Sequence, residues 1–272
     1  MTRHPPGSLS PVGTRGFERT RPNDYLMRLA ASELGRAYKS LALSELGIRG
    51  GDTVLDLGCG PGADLVAFAE ATGPGGRVIG IDNDPDAVTE AAARVAGLPQ
   101  VEVAHGDAHV LDIPDASVDR AHTDRVLQHV GDPAAALRET RRVLRTGGSA
   151  VFAEPDWDTL IIDYPDLDVP RSYRRFVTER VIRNDAIGRQ LAGLATGAGF
   201  EVGQVTPITA VFRDAQAADK VLALSRVTGR AVSVGYLSEE TAGQWLDHLA
   251  SRPFFGSLTL FIVAAVAIDP AA

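Results

Sequence analysis

Apolar residues fall into short runs separated by longer segments of helical periodicity, an alternation that predicts a β-α-β order. Residues 25–46 read as one or two helices leading to the Gly50-Gly51 turn. Strands are predicted at 53–57, 77–81, 101–104, within 116–123, and at 149–154 after the Gly147-Gly148 turn. Between them helices are predicted over 63–72, 86–96 and 132–144, the last with Pro133 in its first turn. Such alternation implies a parallel sheet with helices on both faces. After Glu154 the rhythm changes. Pro155, Pro165 and Pro170 punctuate an acidic loop, followed by helices at 172–182 and 188–198 and a strand at 202–212. A helical stretch over 216–249, broken around 229–236, precedes a last apolar run at 258–268. That run is too short to cross a bilayer, which takes about 20 residues, and its Val and Ile content suits a buried strand.

Composition narrows the class. The chain has 272 residues, 44 % of them hydrophobic, enough for one large α/β domain carrying a cap. A net charge of −8 argues against nucleic-acid binding, which needs clustered Lys and Arg on one face. Arginines 171, 174, 175, 180 and 183 do cluster, but at helical spacing among acids, as on a solvated face, with an anionic substrate as the alternative. Cys59 is the only cysteine, which rules out an intrachain disulfide and suits a reducing cytoplasm. Residues 1–22 are rich in Pro, Gly and Arg, lack the apolar core of a signal peptide, and read as a disordered arm.

The chemistry concentrates in the segment Thr53 to Asp64, where an apolar strand runs into alternating glycines and then a helix. Gly58, Gly60 and Gly62 let the backbone bend tightly and approach a ligand where a Cβ would collide. The following helix aims its free N–H groups at the same spot. The spacing is G-x-G-x-G, whereas the dinucleotide turn is G-x-G-x-x-G. Asp56, two residues before the glycines, would repel a pyrophosphate and attract an ammonium or sulfonium. Asp82 ends the second strand, with Asn83 beside it, where an acid accepts hydrogen bonds from a ribose diol.

With these residues the chain resembles the class I S-adenosylmethionine (SAM)-dependent methyltransferases, whose first motif reads much like Val54-Leu-Asp-Leu-Gly-Cys-Gly-Pro-Gly62. The resemblance implies a Rossmann-like α/β fold. Its seven-stranded, mostly parallel sheet has helices on both faces, and the sixth and seventh strands form an antiparallel pair at one edge. It implies one methyltransferase domain over 23–272, with helical cap insertions at 155–187 and 214–252 that roof the substrate pocket. Asp107 and the Ala108 N–H would meet the adenine, Thr123 to Arg125 would border the methionine part, and Tyr25 would cover the cofactor. The product would be S-adenosylhomocysteine (SAH).

A sulfonium methyl is already activated, so its transfer needs mainly alignment and water exclusion. For a hydroxyl acceptor a base helps; His129, past the fourth strand, and Glu154, at the carboxyl end of the fifth, are the candidates. His105 and His109 flank Asp107, but Gly106 in a strand-to-loop passage spoils a metal spacing, so no metal is expected. Trp157 either lines a substrate pocket or packs its loop. His122 reads as a satisfied buried or pocket histidine, and Cys59 as a packing residue.

The segment Val126-Leu-Gln-His-Val130 brings the likeness closest to quinone and secondary-metabolite enzymes. The expected function is methylation of a small molecule, at a hydroxyl, by a cytoplasmic monomer or homodimer. A SAM-binding cyclase or non-catalytic partner is the alternative. An NAD(P) oxidoreductase is disfavoured by the glycine spacing and by the lack of a Tyr-x-x-x-Lys-like donor.

Overall fold

The computed structural model describes residues 22–269, with side chains from residue 27 onward. The arm expected over 1–22, Pro22 apart, and the Tyr25 side chain fall outside the described residues. Two helices come first, α1 (Pro22–Ala31) and α2 (Glu33–Leu46). Ser32 starts α2 by accepting the Gly35 N–H at 2.9 Å, and Gly47 closes it with φ 61.

The alternation then runs β1 (Thr53–Leu57), α3 (Leu65–Thr72), β2 (Arg77–Asp82), α4 (Pro85–Arg94), β3 (Val101–His105), β4 (Val118–Asp124), α5 (Pro133–Val143) and β5 (Leu144–Ile162). Helix α6 (Asp168–Phe176) continues into a π-helical turn at Val177–Val181, and α7 (Ile187–Gly197) leads to β6 (Phe200–Phe212). Helices α8 (Ala215–Leu222), α9 (Leu224–Ser233) and α10 (Glu239–Ser251) precede β7 (Gly256–Ala267).

The sheet order is β3-β2-β1-β4-β5-β7-β6. Strands β1 to β5 are parallel, and β7 runs antiparallel to both β5 and β6. Period-2 alternation divides the strand residues between two cores. Leu55, Leu57, Ile79, Ala150 and Phe152 pack with α5 and α7 on one face, through Leu137 and Leu191. Val54, Val78, Val151 and Ala153 pack with α2 and α3 on the other, through Leu46 and Phe68. A third apolar cluster joins Leu160 and Ile162 of β5 to Tyr173, Phe176, Leu222 and Trp245, so residues from 155–187 and 214–252 pack together.

Two expectations are corrected. Strand β5 extends well past Glu154, because β7 pairs with it through Pro155↔Leu260 to Ile162↔Gly256. Pairing with β4 ends at Ala153, so Pro155 lies where β5 has one partner, a position that tolerates a missing donor. The break expected around 229–236 is narrower, lying after Ser233 with Gly229 still inside α9, and a further division falls earlier, at Ala223, with φ 52.

Candidate functional site

The glycine turn is anchored to β2. The Gly58 and Cys59 N–H groups donate to the Ile81 carbonyl at 2.7 and 3.0 Å, and the Gly60 N–H donates to Asp82 Oδ2 at 2.7 Å. Asp82 Oδ1 accepts the Asp84 N–H at 2.9 Å, while Asp84 itself caps α4, leaving Asp82 for the turn. At Gly58, φ is 73 and a Cβ would lie 2.2 Å from Val126 Cγ2. Only glycine lets the turn approach the segment after β4 this closely.

Above the carboxyl ends of β1 to β4, where open α/β sheets bind ligands, lies a cleft of about 650 Å³. Gly58, Gly60, Asp82, Asn83, Asp107, Ala108, Arg125 and His129 all line it. The structure therefore brings together most of the residues singled out from the sequence. Asp107 Oδ1 accepts from the His109 N–H at 2.9 Å and meets His109 Nδ1 at 2.6 Å, which holds its carboxyl below the ordinary range.

The inner end of the cleft is densely charged. Asp124 Oδ2 accepts from Tyr38 Oη at 2.9 Å and Lys39 Nζ at 2.7 Å, and its Oδ1 accepts from Arg125 Nε at 3.1 Å. The same Lys39 ammonium reaches Asp64 at 2.5 Å. Burial would raise Asp124, but Arg125 and Lys39 hold it far below the carboxylate range. Burial likewise would lower Lys39, and Asp124 and Asp64 hold it above. Burial, with Arg125 nearby, lowers His129, so its neutral, proton-accepting form prevails at neutral pH. Arg125 has φ 60, a left-handed backbone rare outside glycine, and its N–H donates to the Ala153 carbonyl at 2.8 Å.

Asp56, Gly62, Thr123 and Glu154 lie off the cleft wall. Asp56 is buried beneath the turn with Oδ1 2.8 Å from His122 Nδ1, and its Oδ2 has no hydrogen-bond partner among the described residues. Gly62, with φ 81, packs against Ala91. Thr123 is fully buried within β4. Glu154 is corrected as a base candidate. Its fully buried carboxylate accepts the N–H groups of Val126, Leu127 and Gln128 at 2.7, 2.6 and 3.3 Å, which ties down the segment after β4 and keeps it from an acceptor.

Next to the cleft, and sharing Arg125 with it, is a small apolar chamber of about 60 Å³. Leu29, Trp157, Ile208, Phe212, Leu258 and Leu260 contribute its wall, and Tyr38, Arg125 and Gln128 its polar groups. Trp157 sits in an irregularity where β5 shifts register against β7 between Asp156 and Ile161, and such bulges re-aim side chains. Its Nε1–H donates to Gln128 Oε1 at 2.8 Å.

Sequence reasoning missed Tyr38 and Lys39, which reach the site from α2 across 85 or more residues of chain. One signal was available: Lys39 is one of only two lysines among 27 basic residues. A compact ammonium, with its three donors, can bridge two carboxylates in a space that a planar guanidinium fits less well. The donor atoms of Asp56, Asp64 and His122 also lie within 4.8 Å of one another, and Lys39 already supplies a cation there.

A fold with these glycines, with acids ending β2 and following β3, and with the Asp124 carboxylate at the inner end of the cleft fits a nucleoside carrying a cationic tail. The methyltransferase-domain family matches residues 48–176, and the chain belongs to the class I SAM-dependent methyltransferases, with SAM as cofactor. A Streptomyces fradiae relative, described as an uncharacterised 37.1 kDa protein in transposon TN4556, is 56% identical over 96% of this chain and 76% of its own length. Demethylmenaquinone methyltransferase of Staphylococcus aureus is 33% identical over half of this chain, which spans 57% of that enzyme. Among solved structures, a SAM-dependent methyltransferase from Aquifex aeolicus superposes with a TM-score of 0.56 at 18% identity, covering 92% of this chain and 100% of that one.

Proposed function

We propose that the chain methylates a hydroxyl of a small, largely apolar acceptor of the secondary-metabolite kind, as a cytoplasmic enzyme. SAM supplies a methyl group activated on a sulfonium, which leaves alignment and water exclusion to the protein. In this reading Asp82 and Asn83 hold the ribose, Asp107 and Ala108 the adenine, and Asp124 and Arg125 border the methionine part. His129, neutral on the cleft, takes the acceptor's proton.

The observation that carries the acceptor class is the chamber beside the cleft. Its wall is hydrocarbon, and its polar groups are Tyr38, Arg125 and Gln128, of which Arg125 also lines the cleft. Such a lining gains from desolvating an apolar body and offers a charged molecule little compensation for lost water. The test is incubation of the purified chain and SAM with apolar phenols and alcohols beside charged counterparts, followed by mass spectrometry. The expected result is an apolar product heavier by one CH2 unit, a methyl group having replaced the hydroxyl proton. Methylation of the charged acceptors alone would overturn the reading, and a rearranged product of unchanged mass would mark a cyclase instead.

A further inference from the structure

We infer that Lys39 is the electrostatic counterweight that sets how strongly the site prefers SAM over SAH, and so how readily product leaves. The inference rests on the proposed placing of the cofactor's methionine part beside Asp124 and Arg125. Three carboxylates, two cations and the His122 imidazole, 2.8 Å from Asp56, meet at this end of the cleft. Asp56 is buried under the glycine turn, Asp64 stands at the start of α3, and Asp124 lines the cleft. Against them are Arg125 on the cleft and Lys39, whose Nζ touches Asp64 at 2.5 Å and Asp124 at 2.7 Å. The Lys39 side chain is only 13% exposed, so water screens it little.

The two forms of the cofactor share their nucleoside, ammonium and carboxylate. They differ by one methyl group and by the positive charge on sulfur, so their affinity ratio reads the local field with shape nearly constant. With Asp56 paired to His122, Asp64 and Asp124 facing Arg125 alone would leave a net negative field that favours SAM strongly. Lys39 spans both carboxylates, so the field is nearly balanced, and the neutral-sulfur product is held almost as well as the substrate.

Calorimetry of SAM and SAH binding to the full chain, without acceptor, tests this. In Lys39→Met the ratio of the SAH to the SAM dissociation constant rises by at least about five- to tenfold, since one charge removed as far as about 12–17 Å from the sulfur already gives that much at an effective dielectric of about 20. In Asp64→Asn, which removes an opposite charge, the ratio falls about threefold. A packing defect weakens both ligands together and cannot produce opposite signs in the two variants. If Lys39→Met does not fold, the fall in Asp64→Asn stands as the test. An unchanged ratio in the variants that fold overturns the inference. Failure of the placing itself is distinguishable, because Asp82→Ala and Asp107→Ala would then leave both affinities of an otherwise intact chain untouched.

Discussion

Replacing Glu154 by Gln probes the carboxylate that ties down the segment bearing Arg125, Gln128 and His129. Glu154 is fully buried, has three backbone N–H donors and, among the described residues, no ion pair, and lies near the like charge of Asp124. Burial first, with Asp124 adding to it, pushes the carboxyl from its ordinary 4.5 up to about 8, while the N–H donors pull it down. An acid that binds its proton more tightly folded than unfolded stabilises the fold below its ordinary range. That contribution is lost as pH climbs from about 4.5 toward 8. At about 1.4 kcal/mol per unit, and allowing for relaxation around the buried charge, the loss amounts to about 2–4 kcal/mol. Glutamine has nearly the same shape, keeps one acceptor oxygen and does not titrate, so at pH 5 the variant should be less stable by about 1–2 kcal/mol. Urea unfolding of both proteins at pH 5, 6, 7 and 8 should show the stability gap closing and then reversing. A gap that stays constant or widens with pH would mean that the N–H donors outweigh burial and that the carboxylate is charged throughout.

His129→Ala should slow methylation by about 10²–10⁴-fold with cofactor affinity nearly unchanged, and wild type should show an acid limb below about pH 6.5, because burial and Arg125 lower His129. A limb that survives in the alanine variant removes His129 from the chemistry. Gly58→Val should abolish SAH binding in calorimetry, since its branches would enter the space of Val126 at a backbone φ of 73. Asp82→Ala should weaken SAH by about 1–3 kcal/mol, and undiminished binding would leave the ribose without its expected partner. Trp157→Ala removes the bond to Gln128 and opens the chamber. Competition assays should find acceptor preference moving toward bulkier apolar molecules, with SAH affinity unchanged.

Elements with a strong local signal were legible. Glycines between an apolar strand and a helix mark β1 and its turn, and the acids ending β2 and following β3, Asp82 and Asp107, line the cleft. Glu154 misled for a physical reason. A strand's carboxyl end is where ligands bind, but it is also where the next segment's unpaired N–H groups need an acceptor, and sequence alone does not say which demand is met. The Pro155 signal overstated a loop, because the pairing that extends β5 comes from β7, a hundred residues away. Lys39 and Tyr38 act at a distance of the same kind, through contacts that no window of sequence contains.

Strand β5 also decides how this molecule can be re-engineered. It carries Ala153 into the core beside α2 and α3, Glu154 onto the segment after β4, and Leu160 and Ile162 into the cluster around Trp245. The cluster around Trp245 is therefore not a detachable module. A graft or truncation made at Pro155, where sequence suggests a seam, would cut the sheet and strip β7 of its partner at Pro155, Asp156, Ile161 and Ile162. Transplanting a different acceptor preference into this scaffold is better done by exchanging single chamber-facing residues on β6 and β7, such as Ile208, Phe212 and Leu258, with the backbone left whole.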